Sequence, residues 1–127
     1  MEVFNIITLE FLREAESAHP FHAQIVPAEL ANKYKDIFED LDDSELENII
    51  YATKAELVKL GILQDFGSSD DDCLVKLGTQ GYALLNNKVI ALNERKTLAQ
   101  YIRSLPPKAI DSSIPLVIKE LYDSLCK

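Results

Sequence analysis

The sequence predicts a mainly α-helical protein with a small β-hairpin, and three observations carry that prediction. Gly is scarce, four in 127 residues, while Leu, Ile, Ala, Glu and Lys, which favour helix, are abundant. Apolar residues recur at three- and four-residue steps near the start of the chain and again after Pro27. After Gly61 that period gives way to two short runs, Ile62–Phe66 and Cys73–Leu77, joined by a polar loop, which read as paired strands.

The first helix is predicted over Val3–Ser17, where Val3, Phe4, Ile7, Phe11, Leu12 and Ala15 form one stripe. Ala18-His19-Pro20 ends it, because a proline disfavours helical geometry in the residue before it. Phe21–Val26 is a short extended stretch. Pro27 suits the first turn of a second helix running through Leu30, Ala31, Tyr34, Ile37 and Phe38. The third helix starts at Leu41–Glu45, with Asp43 or Ser44 as its cap and Glu45 and Glu47 at the positive end of the helix dipole. It continues through Leu46, Ile49, Ile50, Leu57 and Leu60, and Gly61 ends it. Gly67–Asp72 is the hairpin loop. Gly78-Thr79 opens a fourth helix, with Thr79 as cap and Tyr82, Leu84 and Leu85 as apolar residues.

Two further helices follow. One is expected after Asn93 as its cap, carrying Leu98, Tyr101, Ile102 and Leu105 and stopped by Pro106-Pro107. The last begins near Ser112-Ser113, with Pro115 in its first turn and Leu116, Val117, Leu121, Tyr122 and Leu125 behind it. The length fits a single domain. Residues 1–87 form its body, and residues 88–127 form a C-terminal helical extension packed on it as one compact unit.

Charge is distributed unevenly. The net charge of −8 divides into −11 over residues 1–87, with six Lys/Arg against 17 Asp/Glu, and +3 over residues 88–127, with seven against four. Asp36–Glu47 holds seven acids in 12 residues and no base. Such a front repels nucleic acid and attracts basic proteins. The N-terminus lacks the basic start of a signal peptide, and no apolar run approaches the roughly 20 residues of a membrane span. The sequence therefore predicts a cytoplasmic protein without membrane association.

No motif supports catalysis. There is no phosphate-binding glycine loop, no Gly-x-Ser-x-Gly and no His-Glu-x-x-His. Cys73 and Cys126 form no Cys-x-x-Cys pair and read as two thiols with packing roles, although a disulfide between them is the open alternative. His19 and His22 flank Pro20-Phe21, which argues against a helix that would aim both at one metal, and no third ligand is evident. Asp70-Asp71-Asp72 lacks the alternating acids, central glycine and distal glutamate of a calcium loop. The expectation is a non-enzymatic protein with no cofactor and no metal.

Two runs resemble a known superfamily. Leu57-Val58-Lys59-Leu60-Gly61-Ile62-Leu63 is similar to the end of a third helix passing into the first wing strand of winged-helix-turn-helix proteins. Val75-Lys76-Leu77-Gly78-Thr79-Gln80-Gly81-Tyr82-Ala83-Leu84-Leu85 is similar to the second wing strand and following helix, with Gly78 separating a Leu-Thr pair that is usually adjacent. The resemblance covers about residues 3–86. It implies a winged-helix-like domain followed by two helices, with the third helix in a DNA groove and the wing on phosphates. At those two places this chain offers Asp40, Asp42, Asp43, Glu45 and Glu47, and Asp70, Asp71 and Asp72. Phosphate contacts need Lys and Arg, so the acids disfavour nucleic acid.

Two readings of the acids stand side by side: a solvated, well-capped helix start, or a docking surface for a basic protein partner. The second makes the chain a protein-binding module of the immunity-protein, antitoxin or inhibitor kind. The alternative is a bacterial or phage transcriptional regulator binding DNA as a dimer through basic residues of its C-terminal part or through a local positive patch that the average charge hides. The last helix, with Leu121, Tyr122 and Leu125, can pack on the first helix or build a homodimer.

Overall fold

The computed structural model describes residues 3–68, 72–89, 92, 95–106 and 113–125. They form, in chain order, α1 (Val3–Ala18), β1 (Ala23–Ile25), α2 (Pro27–Tyr34), α3 (Asp43–Lys59), β2 (Leu63–Ser68), β3 (Cys73–Leu77), α4 (Thr79–Leu85), α5 (Leu98–Ser104) and α6 (Ile114–Leu125). The fold is mainly helical with a small antiparallel sheet. No helix among the described residues is long and apolar enough to cross a membrane.

α1 is the centre of the core. Its apolar spacing predicts one buried stripe, yet every residue from Ile6 to Leu12 is buried. The reason is tertiary: α3, α5, α6, β1 and β3 all pack against α1, so more than one side of the helix is covered. α2 ends at Tyr34 rather than running through Phe38. The amides of Ile37 and Phe38 both bond back to the Tyr34 carbonyl in a closing turn, and the Ile37 side chain is exposed.

The sheet has three strands where a two-stranded hairpin was expected. β3 is central, in the order β1-β3-β2. The extended stretch after Pro20 supplies β1, pairing Ala23 with Val75 and Ile25 with Cys73. Alternation then buries Ala23, Ile25, Cys73, Val75 and Leu77 against the helices. β2 pairs with β3 from Leu63↔Leu77 onward, with an irregularity between Asp65 and Ser68 where Gly67 takes a positive φ of 110°.

Caps and junctions follow local chemistry. α3 is capped by Asp42, not by Asp43 or Ser44. The Asp42 carboxylate accepts from the Glu45 amide at 2.7 Å, and Glu45 accepts from the Asp42 amide, a reciprocal capping box. Gly61 closes α3 with φ 77°, the left-handed conformation that suits glycine just past a helix end. α4 follows at close quarters: a Cβ on Gly81 would stand 2.2 Å from the Ile62 carbonyl oxygen. Thr79 does not cap α4. The capping position is Gly78, and the Gln80 amide bonds to the Gly61 carbonyl, which serves the helix start instead. α5 is capped by Thr97, whose hydroxyl accepts from the Gln100 amide, so the expected cap at Asn93 is replaced; Asn93 itself lies outside the described residues.

α5 and α6 complete the core from the C-terminal side. Leu98, Ala99, Tyr101 and Ile102 of α5 are buried, as are Ile114, Val117, Ile118 and Leu121 of α6. Both helices pack against α1. Pro115 lies in the first turn of α6, where its missing amide costs no helical hydrogen bond.

Candidate functional site

The described acids range from one enclosed in the core to several open to solvent. Glu10 is only 2 % exposed, in the middle of α1. Its Oε1 accepts from Lys33 Nζ at 3.0 Å and from the Tyr34 hydroxyl, both on α2, and Arg13 Nη1 stands 3.9 Å away. A buried carboxylate persists when donors satisfy it, and here α2 brings two of them. Beside it is a recess of about 200 Å³ lined by Glu14, Gln24, Val26, Glu29 and Lys33. Sequence reading missed this group. Its only trace is an acid flanked by Leu9, Phe11 and Leu12, with Arg13 three residues on.

The predicted acids are placed differently. Asp40 lies in the turn before α3, Asp42 is the cap, Asp43 is the first helical residue and Glu45 is in the first turn, and all four are exposed. Glu47 is half-buried. The helix itself gathers these five at one end, where the unpaired amides favour negative charge. Two of them, Asp42 and Glu45, also satisfy that end through the capping box. Asp70 and Asp71 lie outside the described residues. Asp72 is half-buried at the start of β3 and accepts a hydrogen bond from the Gln24 side chain of β1, which ties it to the sheet rather than to the end of α3.

The lysines of α3 complete the electrostatic picture. Lys54 is nearly buried and reaches Asp65 on β2 at 3.1 Å. The Gly67 amide bonds to Asp65 at 2.9 Å, and this bond, together with Lys54, holds the Asp65 carboxyl below its ordinary range. Lys59 is exposed in the last turn. Cys73 is buried and unpaired. Burial pushes its thiol up; Lys54 opposes the rise, while Asp65 and Asp72 add to it. A thiol held in its protonated form is a poor nucleophile, consistent with a packing role.

The two histidines meet rings instead of each other. His19 stacks on Tyr82 of α4 with centroids 5.2 Å apart, and His22 on Phe66 of β2 at 4.2 Å. Among the described residues no group of three His, Cys, Asp or Glu could hold a metal. Next to His19, a recess of about 250 Å³ opens between α1, α4 and α5. Leu77, Leu85 and Ala99, all buried, line it, together with Tyr82 and the ion pair of Arg103 with Glu16. Exposed aromatics scattered along a sequence carry no periodic signal, so the sequence reading did not group them.

No family model, no curated protein and no solved structure matches this chain.

Proposed function

We propose that the protein is a non-enzymatic binding module that presents an acidic surface to a basic protein partner, in the manner of an immunity protein, antitoxin or inhibitor. The observation that carries this reading is the disposition of charge on α3. Asp42, Asp43 and Glu45 stay exposed at its start, while Lys54 is withdrawn into an ion pair with Asp65. A helix laid against DNA phosphates needs the reverse arrangement. For a basic protein the same end gives complementary charge, which speeds encounter and sets orientation.

The second reading is a winged-helix transcriptional regulator. What favours it is the order α1-β1-α2-α3-β2-β3, with the late strand β3 between the other two. That arrangement supports the winged-helix resemblance, and the division into a body of residues 1–87 and a helical extension is retained with it. The burial of one face of α6 within the chain gives no added support to a dimer built on that face.

One experiment separates the readings. The purified chain is immobilised at low salt and compared with the D40N/D43N/E47Q variant, which spares both capping residues. The proposal expects a basic protein retained by the first and lost from the second, and no retardation of DNA fragments by either. Salt-sensitive DNA retardation by the unaltered chain would falsify the proposal in favour of the regulator.

A further inference from the structure

Five large hydrophobic side chains are exposed among the described residues, among them Phe21 at 74 %, Tyr82 at 52 % and Phe66 at 47 %. The segment His19-Pro20-Phe21-His22 joins them, since His19 stacks on Tyr82 and His22 on Phe66. At the Tyr82 end lies the recess floored by Leu77, Leu85 and Ala99. Its edge is occupied by an arginine of the chain itself. Arg103, with a side chain 65 % exposed, donates through Nε at 2.8 Å and through Nη2 to the Glu16 carboxylate.

We infer that this patch is the anchoring point for an arginine side chain of the basic partner, with Glu16 as its carboxylate, Tyr82 and His19 as its aromatic wall, and Arg103 as an internal occupant that competes for the same place. The inference rests on the basic-partner reading above. Three physical arguments carry it. A guanidinium is attracted to the faces of aromatic rings and forms its best hydrogen bonds with a carboxylate, and the recess supplies both. Glu16 is half-buried but the Arg103 side chain is 65 % exposed, and an ion pair open to solvent on its cationic side contributes little net stability, so an incoming arginine can displace it. Residues 1–87, which supply Glu16, His19 and Tyr82, carry a net −11, so a basic segment is attracted to that body and not repelled from it. Of the cations around the patch, Lys54 is paired with Asp65, Arg103 is the competitor itself, Lys96 turns to the Ser104 hydroxyl at 3.5 Å, and Lys76, half-buried on β3, sits on a sheet that also carries Asp72. Exposed aromatic side chains are frequent anchors at the centre of an interface.

The test is an NMR titration of the full chain with a nine-residue arginine peptide at low salt, with a nine-residue lysine peptide beside it. Saturable shifts are expected at His19, Phe66 and Tyr82, with the arginine peptide bound more tightly than the lysine peptide. Y82A should weaken binding about threefold to fivefold, and E16Q about tenfold. R103A should bind severalfold more tightly, because the competitor is gone, and more tightly than K119A, which removes the same charge on α6 outside the recess; equal gains from the two variants would overturn the inference. Circular dichroism confirms that each variant is folded, and the exposed R103A carries the test if E16Q is not. Equal affinity for the two peptides, unchanged or weaker binding by R103A, or shifts confined to Asp40–Glu47 each overturn the inference while leaving the basic-partner reading in place. No saturable shift anywhere in the chain overturns both.

Discussion

Glu10 and Asp43 carry the same carboxylate in opposite surroundings. Glu10 is enclosed by α1 and α2 and held by Lys33 and Tyr34, whereas Asp43 projects from the first turn of α3 into solvent. The first is committed to the fold, because burying it without its donors would cost several kcal/mol. The second stays open to solvent. Asp42 and Asp65 lie between these extremes: each is exposed, yet each serves a backbone amide or a lysine. In an acid-rich chain, then, net charge does not reveal which carboxylates belong to the fold and which to a surface.

Removing carboxylates one at a time tests that ranking. Glu10→Ala leaves the Tyr34 hydroxyl and the Lys33 ammonium beside an empty site. It should destabilise the protein by about 3 kcal/mol, read as a lower urea midpoint. A loss below about 1 kcal/mol would remove Glu10 from the fold-holding class. Asp42→Ala deletes one half of the capping box and should cost about 1 kcal/mol. Asp43→Ala, one residue on, should stay within about 0.5 kcal/mol of the unaltered chain. Equal costs for this pair would mean that Asp43 also holds the helix end.

Asp65→Asn carries a pH signature. The folded carboxyl lies below its ordinary range, so at neutral pH the folded state holds this charge more favourably than the unfolded chain does. That contribution is fully present above the unfolded value of about 4 and is lost as pH falls through the folded value. Asp65 is 41 % exposed and screened by solvent, which limits the contribution to below about 1 kcal/mol. The stability difference between the unaltered chain and D65N should be level from pH 7 to pH 5 and shrink below pH 4. A difference that grows on acidification would reverse the assignment.

Much of the local architecture was legible from short-range patterns. The position of α1 followed from its apolar spacing, the end of α3 from Gly61, and the paired runs Ile62–Phe66 and Cys73–Leu77 from the change of period. Each of those signals lies within a few residues of the feature it marks. The early end of α2 is also local, a turn folded back on Tyr34 that the apolar spacing through Ile37 and Phe38 does not mark. The cap of α4 was misplaced because its deciding partner is remote: a carbonyl of the α3–β2 junction serves that helix start. Of the candidate site, the exposed acids at the start of α3 were visible in the composition of Asp36–Glu47, but the role of Asp42 and Glu45 as a reciprocal cap was not assigned.

Periodicity, capping chemistry and the split between an acidic front and a mildly basic tail are properties of neighbouring residues, and they were present in the chain before any folding was considered. Contacts between distant segments settled the remainder. Val75 of the hairpin turned Ala23 into a strand residue, and α2 enclosed Glu10 with a tyrosine and a lysine. Asp65 drew Lys54 inward, and the end of α1, β2 and α4 placed two histidines on two rings. Hydrogen bonding, ion pairing and ring stacking act over a few ångströms in space, so they depend on which segments are packed together and not on how far apart they lie in the chain.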